Sequence, residues 1–367
     1  MNKQELTALL RDYCMTPSLS GYESKMAYRI QEDFKAYTDD VRIDKIGNVI
    51  ATFPGTDPEA PKVMVYAHTD SLGFIVRRID DDGFIRVDRL GGIPEKVLPA
   101  LKVLIGTEDG KSYITGMFGN KSHHLTSADE KFKVATIPEL YIDIGAKSAE
   151  EVRALGIEVG CPVVYKPDFE ELQGDRVIGT AIDDRAGCAN LVQVASLLKN
   201  REHASTVFLV ATVWEEFNIR GAVIACRTTH PDIAIAIDGG GLDGCTPDLK
   251  GWNNIKMGDG PGMTKYTFHS RGTLNGTIAN TKLVNHTLKA AKKLGLNIQR
   301  ASGFGGVNDG AWVQLEDKGV AIIEIGSPFR YTHTPVEMTD MGDMVQVGEL
   351  ITEMLCTFDR DFDPSRF

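Results

Sequence analysis

The chain of 367 residues carries a formal net charge of −11 at pH 7, from 51 acidic and 40 basic side chains. This excess of negative charge argues against nucleic acid or an anionic membrane as the main partner, because both are themselves negatively charged. With 42% hydrophobic and 25% charged residues, the composition is that of a globular protein large enough for two domains.

Several patterns predict a cytoplasmic protein. No apolar run approaches the ~20 residues that a membrane-spanning helix needs, and the N-terminus has an amphipathic pattern without a signal-peptide core. The six cysteines are scattered along the chain, with no CxxC pair among them. We therefore expect free thiols in a reducing compartment, and neither a disulfide framework nor a zinc knot.

Helix-like and strand-like patterns alternate in the first part of the chain. Apolar residues at helical spacing predict two helices, which are joined by a loop of turn-forming residues at 16–23. Further on, Val63–Tyr66 is a short apolar run typical of a buried strand. His68 and Asp70, two side chains capable of catalysis or metal binding, follow this strand directly.

Residues 71–165 show a different pattern, with short alternating segments separated by turns. Glycine-containing acidic turns link two pairs of these segments. One short helix is expected where Ser148 and Glu151 fit a capping box. We therefore predict a small, β-barrel-like domain inserted into the chain.

From residue 166 onward, apolar strands and amphipathic helices alternate again. The strand Val207–Val213, for example, ends just before two adjacent carboxylates, Glu215 and Glu216. This alternation predicts an α/β fold, an α/β/α sandwich with a mixed, largely parallel sheet. The sandwich would be one domain, built from residues 1–70 and 166–367.

Side chains that could bind a metal or transfer a proton follow several of the predicted strands. They are His68, Asp70, Asp183, Asp184, Glu215, Glu216, Asp238 and His333. Because a parallel sheet brings its strand–helix junctions to one edge, we expect these side chains to converge. A mixed set of imidazoles and carboxylates suits Zn, Co or Mn, and two ions could be held if one carboxylate bridged them.

Each of these features also has an ordinary structural explanation. Glu215 and Glu216 could be the acidic residues of a first helical turn. Asp183 and Asp184 could cap a helix, and Asp238, which precedes three glycines, could be a turn residue. Their shared position at strand ends is what favours a common site.

Five short motifs occur in order along the chain. They are AHTD at 67–70, IDDRAG at 182–187, EE at 215–216, AID at 236–238 and RYTHTPVEM at 330–338. Together with GGIPEKVLP at 91–99, they resemble metallopeptidase family 42, which contains the glutamyl, deblocking and tetrahedral (TET) aminopeptidases. The resemblance covers nearly the whole chain, including the insertion.

The resemblance implies a centre of two divalent metal ions per subunit, zinc or cobalt being the expected ions. Asp183 would bridge the two ions. His68 and Asp238 would complete the coordination of one ion, and Glu216 and His333 would complete that of the other.

The resemblance also implies roles for two further carboxylates. Glu215 would be the general base that takes a proton from a metal-activated water, and Asp70 would support His68. The peptide bond between Asp183 and Asp184 would be cis, as in similar enzymes. The implied activity is that of an aminopeptidase that removes N-terminal residues from short peptides.

The same resemblance implies that the inserted segment 71–165 is a dimerisation domain. Dimers in this family often assemble into larger shells, so we expect a homo-oligomer, either a dimer or a dodecamer built of dimers. Phe217-Asn218 and Gly239-Gly240-Gly241 depart from the usual family loops, so the resemblance does not extend to the side-chain preference.

Three other functions are compatible with parts of this pattern. A related two-metal amidohydrolase, such as a deacylase, would use the same ligands on a different amide. A glycoside hydrolase would need two carboxylates on either side of a glycosidic bond. This function would not explain why His68 and His333 follow predicted strands. A non-catalytic assembly protein would have no reason to keep the complete set of ligands.

Overall fold

The structure is a computed structural model, and it describes residues 1–269 and 275–367. The α-helices in these ranges are α1 (Lys3–Cys14), α2 (Ser24–Lys35), α3 (Ala149–Ala154), α4 (Ile182–Leu198), α5 (Gly221–Thr229), α6 (Thr281–Leu294), α7 (Gly310–Val313) and α8 (Met341–Leu355). No helix in the described ranges is both long and apolar enough to cross a membrane.

A sheet of eight strands forms the centre of the α/β part, in the order β1-β2-β12-β3-β13-β16-β14-β15. These strands are β1 (Val41–Ile43), β2 (Val49–Phe53), β3 (Val63–His68), β12 (Val207–Thr212), β13 (Ile233–Ala236), β14 (Gly262–Phe268), β15 (Gln299–Phe304) and β16 (Ala321–Gly326). The four central strands β12, β3, β13 and β16 are mutually parallel, and β14 pairs in parallel with β15. The remaining neighbours pair antiparallel.

Helices cover both faces of this sheet. Residues of α1, α2, α4, α6 and α8 form one large apolar cluster with the inward side chains of the strands. A smaller cluster on the opposite face packs α5 and α7 against β3, β12 and β13. The predicted fold class, an α/β/α sandwich with a mixed, largely parallel sheet, is therefore confirmed.

The inner strands are buried on both faces, which explains their sequences. Every residue of Val63–His68 and Ile233–Ala236 is buried, and both segments are nearly continuous apolar runs. Parallel strands covered by helices on both sides need apolar residues in both directions. The polar exceptions lie at the carboxyl ends, and the site lies there too.

Six strands between residues 73 and 165 close into a barrel in the order β4-β5-β8-β7-β6-β9. They are β4 (Gly73–Ile79), β5 (Ile85–Leu90), β6 (Lys102–Gly106), β7 (Tyr113–Phe118), β8 (Ile142–Asp143) and β9 (Pro162–Tyr165). The barrel has its own apolar core, in which the ring of Phe74 packs edge-on against those of Phe118 and Tyr165. The domain boundaries at 71 and 165 stay a prediction.

A small third sheet joins the two parts of the chain that flank the site. It consists of β10 (Phe169–Glu171), β11 (Arg176–Gly179) and β17 (Glu337–Asp340), in that order. Strand β11 leads directly into the start of α4, and β17 follows the loop that carries His333. The antiparallel pairing of β11 with β17 therefore brings these two site segments side by side.

Candidate metal centre and active site

The carboxyl ends of the parallel strands lie at one edge of the sheet. In the register of the strands, Thr212 lies beside His68, and Ala236 lies beside both Tyr66 and Glu324. Because the strands end in step, the residues that follow them begin at a common level. The register therefore accounts for the approach of the side chains that follow β3, β12 and β13.

Asp183 and His333 reach the same place by another route, because Asp183 follows β11 and His333 precedes β17, two antiparallel strands of the small third sheet. The expectation that one parallel sheet supplies all the junctions was wrong for these two residues.

Asp183 lies at the middle of the resulting cluster. Its Oδ1 is 3.2 Å from Nε2 of His68, and its Oδ2 is 3.6 Å from Nε2 of His333. The peptide bond between Asp183 and Asp184 is cis, and both residues have non-helical dihedral angles although they begin α4. One carboxylate thus faces two imidazoles from distant parts of the chain.

The other predicted ligands surround Asp183. Donor atoms of His68, Asp183 and Glu216 all lie within 4.8 Å of one another, and so do those of Asp183, Asp184 and Asp238. Nε2 of His333 is also 3.8 Å from Oε2 of Glu216.

All eight side chains that were expected to converge, Asp184 among them, therefore fall into one cluster, and so do the seven to which the family resemblance assigns a role. These seven are His68, Asp70, Asp183, Glu215, Glu216, Asp238 and His333. Their individual roles stay predictions.

The electrostatics of the cluster fit divalent cations. Burial and the neighbouring acids raise the pKa of both Glu215 and Glu216 well above the usual range of a carboxyl group. Burial and the proximity of Asp183 raise the pKa of Asp238 to about 6. These carboxylates oppose one another's ionisation, and a bound cation would relieve that repulsion. Imidazole and carboxylate donors are also the ligands that zinc and similar ions take in proteins.

His68 is the most enclosed of the predicted ligands. Burial lowers the pKa of His68, but its contacts with Asp183 and Asp70 outweigh this effect and hold the pKa well above its ordinary value. Its Nδ1 lies 3.0 Å from the backbone carbonyl of Asp70 and 3.6 Å from the Asp70 side chain. The nearer partner of the imidazole is therefore the backbone of Asp70, a contact that leaves Nε2 free to face the cluster.

The side chain of Asp70 also accepts hydrogen bonds from the backbone of the two glutamates. Its Oδ1 accepts a hydrogen bond from the backbone N–H of Glu215 at 3.0 Å, and its Oδ2 accepts one from Glu216 at 3.1 Å. Asp70 is fully buried, which would raise its pKa, but contact with His68, followed by the hydrogen bonds from Ser20 and the Glu215 N–H, holds the pKa below its ordinary value. Sequence reasoning predicted support of His68, but the carboxylate contacts the glutamate loop as well.

Glu215 is placed beside the cluster without lying at its centre. One carboxylate oxygen is 3.9 Å from Nε2 of His68, and the side chain is about nine-tenths buried, with 11% exposed. The preceding residue, Trp214, has a φ of 62°, and Asn218 has a φ of 71°. Ile219, with a φ of 58°, is the third left-handed residue of this short loop. Together the three turn the chain sharply, so the loop does not continue β12 into a helix directly.

Sequence reasoning missed several residues that hold the site together. The carboxylate of Glu337 accepts hydrogen bonds from the backbone N–H groups of Asp183, at 2.8 Å, and His333, at 2.5 Å. The hydroxyl of Ser20 donates to Asp70 at 2.6 Å. Glu337 lies inside the motif RYTHTPVEM, which could have suggested a role, whereas nothing local distinguishes Ser20 from other loop serines.

A second buried acidic pair lies on the sheet side of the cluster. The two carboxylate oxygens of Glu324 accept hydrogen bonds from Thr264 and Asn308, both at 2.7 Å. Burial, followed by repulsion from Asp238, raises the pKa of Glu324 to about 8, and burial raises that of Asp309 to about 7. With these raised pKa values both acids tend to stay protonated near neutral pH, and neither belongs to the predicted ligand set.

Comparisons with known proteins agree with the motifs. The family model of the M42 glutamyl aminopeptidases matches residues 47–350. The lysyl aminopeptidase of Pyrococcus furiosus is 33% identical over 355 residues, which cover 95% of this chain and 96% of the relative. This likeness includes the inserted barrel as well as the sandwich.

Solved structures give the same result. The aminopeptidase APDkam598 of Desulfurococcus kamchatkensis has a TM-score of 0.91 at 31% identity, covering 98% of this chain and 96% of that chain. The TET1 peptidase of Pyrococcus horikoshii, which assembles into a tetrahedron or a large octahedral shell, has a TM-score of 0.84 at 28% identity. It covers 96% of this chain and 100% of that one. The chain belongs to the M42 glutamyl aminopeptidase family.

Proposed function

We propose that this protein is a metal-dependent aminopeptidase that hydrolyses the N-terminal peptide bond of short peptides. The observation that carries the proposal is the buried cluster in which Asp183 faces both His68 and His333, with Glu215 directly beside it. Membership of the M42 family supports the same activity.

The donor set would hold two divalent ions, zinc or cobalt by the chemistry of its ligands. Asp183 would bridge them, His68 and Asp238 would complete one site, and Glu216 and His333 would complete the other. When bound, such ions polarise the scissile carbonyl and lower the pKa of a nucleophilic water to about 7.

Glu215 would act as the general base. Its carboxylate would take a proton from the attacking water and deliver it to the amine that leaves. The hydrogen bond from its backbone N–H to Asp70 and its burial keep it in one position for this transfer. A positioned general base typically contributes ~10²–10⁴ in rate.

The negative potential of the site would select a free N-terminus. Burial opposes the ionisation of Asp183, but contact with His68 outweighs burial and lowers the pKa of Asp183, so the Asp183 carboxylate carries negative charge at neutral pH. A substrate α-ammonium group is attracted to such a potential, whereas an N-acylated end is not. The enzyme would therefore act as an exopeptidase and discriminate against blocked peptides.

The barrel would serve as a dimerisation domain, and the protein would be a homo-oligomer, either a dimer or a dodecamer built of dimers. Large apolar side chains are exposed beyond β7, including Leu125 at 73% and Phe132 at 92%. The assembly of the TET1 relative supports this proposal by analogy. The free thiols of all six cysteines are compatible with a cytoplasmic location.

The proposed activity is tested with matched chromogenic substrates, one an aminoacyl-anilide and the other its N-acetylated form. We expect hydrolysis of the free form, at least ~100-fold slower hydrolysis of the blocked form, and loss of activity after exhaustive chelation. Added zinc or cobalt should restore the rate. Preferential hydrolysis of N-acyl amino acids would instead identify a deacylase. Full activity in a verified metal-free sample would exclude the metal mechanism.

A further inference from the structure

The segment 16–23, which joins α1 to α2, contacts residues that flank the site. We call it the N-terminal strap. The backbone carbonyl of Ser18 accepts a hydrogen bond from the N–H of Ser71 at 2.8 Å, and that of Thr16 accepts one from Nη2 of Arg185 at 3.2 Å. The strap is therefore fixed both to the residues after β3 and to the first turn of α4.

One side chain of the N-terminal strap touches the carboxylate framework of the site. The hydroxyl of Ser20 donates to Oδ2 of Asp70 at 2.6 Å, and Ser20 and Asp70 are only 6% and 0% exposed. The same carboxylate accepts the backbone N–H groups of Glu215 and Glu216. Three donors from two distant parts of the chain thus determine the orientation of one buried side chain.

A second residue of the strap acts on the same loop. Glu23, which is 6% exposed, accepts a hydrogen bond from the backbone N–H of Gly21 at 2.8 Å. Burial raises the pKa of Glu23, and the nearby backbone N–H of Trp214 is one of the groups that oppose this rise. Trp214 is the left-handed residue directly before Glu215. The strap therefore holds the glutamate loop on both sides, through Glu23 before Glu215 and through Asp70 at Glu215 and Glu216.

We propose that Ser20 is a positioning residue for hydrolysis, acting through Asp70 on the base Glu215. This inference rests on the proposed function. If the Ser20 hydroxyl is lost, the Asp70 carboxylate keeps its two backbone donors but can rotate, because its third restraint is gone. Small displacements of a reacting group are costly in rate, and partners that orient site residues typically contribute 10–100-fold.

The strap itself supplies a matched control. The hydroxyl of Ser18, two residues earlier, donates to the backbone carbonyl of Thr69 at 2.8 Å, and Ser18 is fully buried. Ser18→Ala and Ser20→Ala therefore each delete one buried hydrogen bond from the same segment. Only Ser20→Ala deletes a bond to Asp70. The two variants should therefore lose similar amounts of stability, and only Ser20→Ala should lose activity.

The experiment measures kcat, KM, metal content and melting temperature for both variants at saturating metal. We expect Ser20→Ala to lower kcat about 10- to 100-fold with KM and metal content close to those of the wild type. Ser18→Ala should keep kcat within about 3-fold of wild type with a similar fall in melting temperature. If Ser20→Ala does not fold, Ser20→Cys, which keeps the shape and weakens the donor, provides the same comparison.

A double variant tests whether Ser20 acts through Asp70. Since the hydroxyl has no other carboxylate partner among the described contacts, Ser20→Ala in an Asp70→Asn background should lower kcat by less than about 2-fold. An equal kcat for Ser20→Ala and Ser18→Ala would overturn the inference, and so would fully additive effects in the double variant. Wild type and Glu215→Gln are measured alongside. If wild type does not cleave aminoacyl substrates, the proposed function fails. If it does and Ser20→Ala matches it, only this inference fails.

Discussion

Glu353, on α8, is a buried carboxylate whose charge is balanced, in contrast with those of the site. It is 3% exposed, and it accepts hydrogen bonds from Lys293 at 2.6 Å and Arg201 at 2.9 Å. Burial alone would raise the pKa of Glu353, but these two cations outweigh it and hold the pKa below the ordinary 4.5. The ion pairs therefore stabilise the folded state at every pH at which Glu353 is ionised.

The Glu353→Gln variant tests this balance through the pH dependence of stability. A carboxyl group with a lowered pKa in the folded state stabilises it above the unfolded pKa, and this stabilisation is lost as the pH falls through the folded pKa. We expect the variant to be about 1–2 kcal/mol less stable than wild type at pH 7. The difference should shrink below about pH 4.

Urea unfolding of both metal-free proteins at pH 7 and at pH 3.5 measures this difference, and the shared titration of the site cancels between them. The same difference at both values would mean that the charge of Glu353 contributes nothing.

At the scale of single residues, the sequence predicted site residues best where a metal-binding or acidic side chain directly follows a strand. His68, Glu216 and Asp238 were predictable as neighbours because the parallel strands β3, β12 and β13 end at one edge, whereas Asp183 follows β11 of the antiparallel third sheet. Residues that hold other site residues in place were not predictable, because serine and glutamate are ordinary in loops. Ser20 has this character, and its contact with Asp70 depends on the tertiary structure alone.

The β1–β2 hairpin is a second element that fixes the glutamate loop. Oδ1 of Asn48 accepts the backbone N–H of Val213 at 3.0 Å, and its Nδ2 donates to the carbonyl of Gly221 at 3.0 Å. Asn48 is fully buried. A Cβ at Gly221 would lie 2.0 Å from the carbonyl oxygen of Val213, so the two ends of the loop approach as closely as glycine allows.

Asn48→Ala should therefore destabilise the protein by about 1–3 kcal/mol, because it leaves the buried N–H of Val213 without its partner and removes the bond to the Gly221 carbonyl. The matched control is Asn297→Ala, which removes a hydrogen bond from an exposed asparagine to the carbonyl of Asp259 and should change stability by about 0.5 kcal/mol or less. Denaturant unfolding of the two variants provides the comparison. Equal effects would show that Asn48 does not hold the loop.

At the scale of elements, apolar runs and helical spacing predicted the inner strands and the long helices. Strand β14, Gly262–Phe268, was missed because its sequence GMTKYTF mixes apolar and polar residues and contains no continuous apolar run. Its place in the sheet comes from antiparallel pairing with β16 and parallel pairing with β15. Such pairing joins residues far apart in the chain, and no local pattern specifies it.

For the whole molecule, the turns of residues 71–165 predicted a β-rich insertion. The order in which its strands close, β4-β5-β8-β7-β6-β9, was not predictable. Strand β9 closes the barrel by pairing with both β4 and β6, across long sequence separations. The apolar residues left exposed beside this barrel motivate the proposal that it binds a second copy of the chain.

Light scattering tests that proposal. The intact protein at micromolar concentration should have the mass of a dimer or a larger multiple. Leu125→Glu with Phe132→Glu should lower that mass, because two charges would be placed in an apolar interface. The control is the variant Tyr28→Glu with Trp252→Glu, which changes two apolar residues exposed on the sandwich, at 63% and 72%, and should leave the mass unchanged. A strictly monomeric wild-type protein would contradict the proposed assembly.

We propose different tasks for the adjacent Glu215 and Glu216 in the metal centre. Glu216 faces Asp183 and His333, whereas Glu215 lies 3.9 Å from Nε2 of His68 and is held by Asp70. An amide cannot accept and release a proton as a carboxylate does, and it is a poorer ligand for a divalent ion.

Metal content and kcat, measured together for Glu215→Gln and Glu216→Gln, test this claim most directly. Glu215→Gln should keep the metal complement of the wild type while kcat falls by at least ~10²-fold, which corresponds to about 2.7 kcal/mol of barrier. Glu216→Gln should lose bound metal. If Glu215→Gln loses metal and Glu216→Gln keeps it, the two roles are exchanged. If both variants keep metal and rate, the site assigned here is wrong.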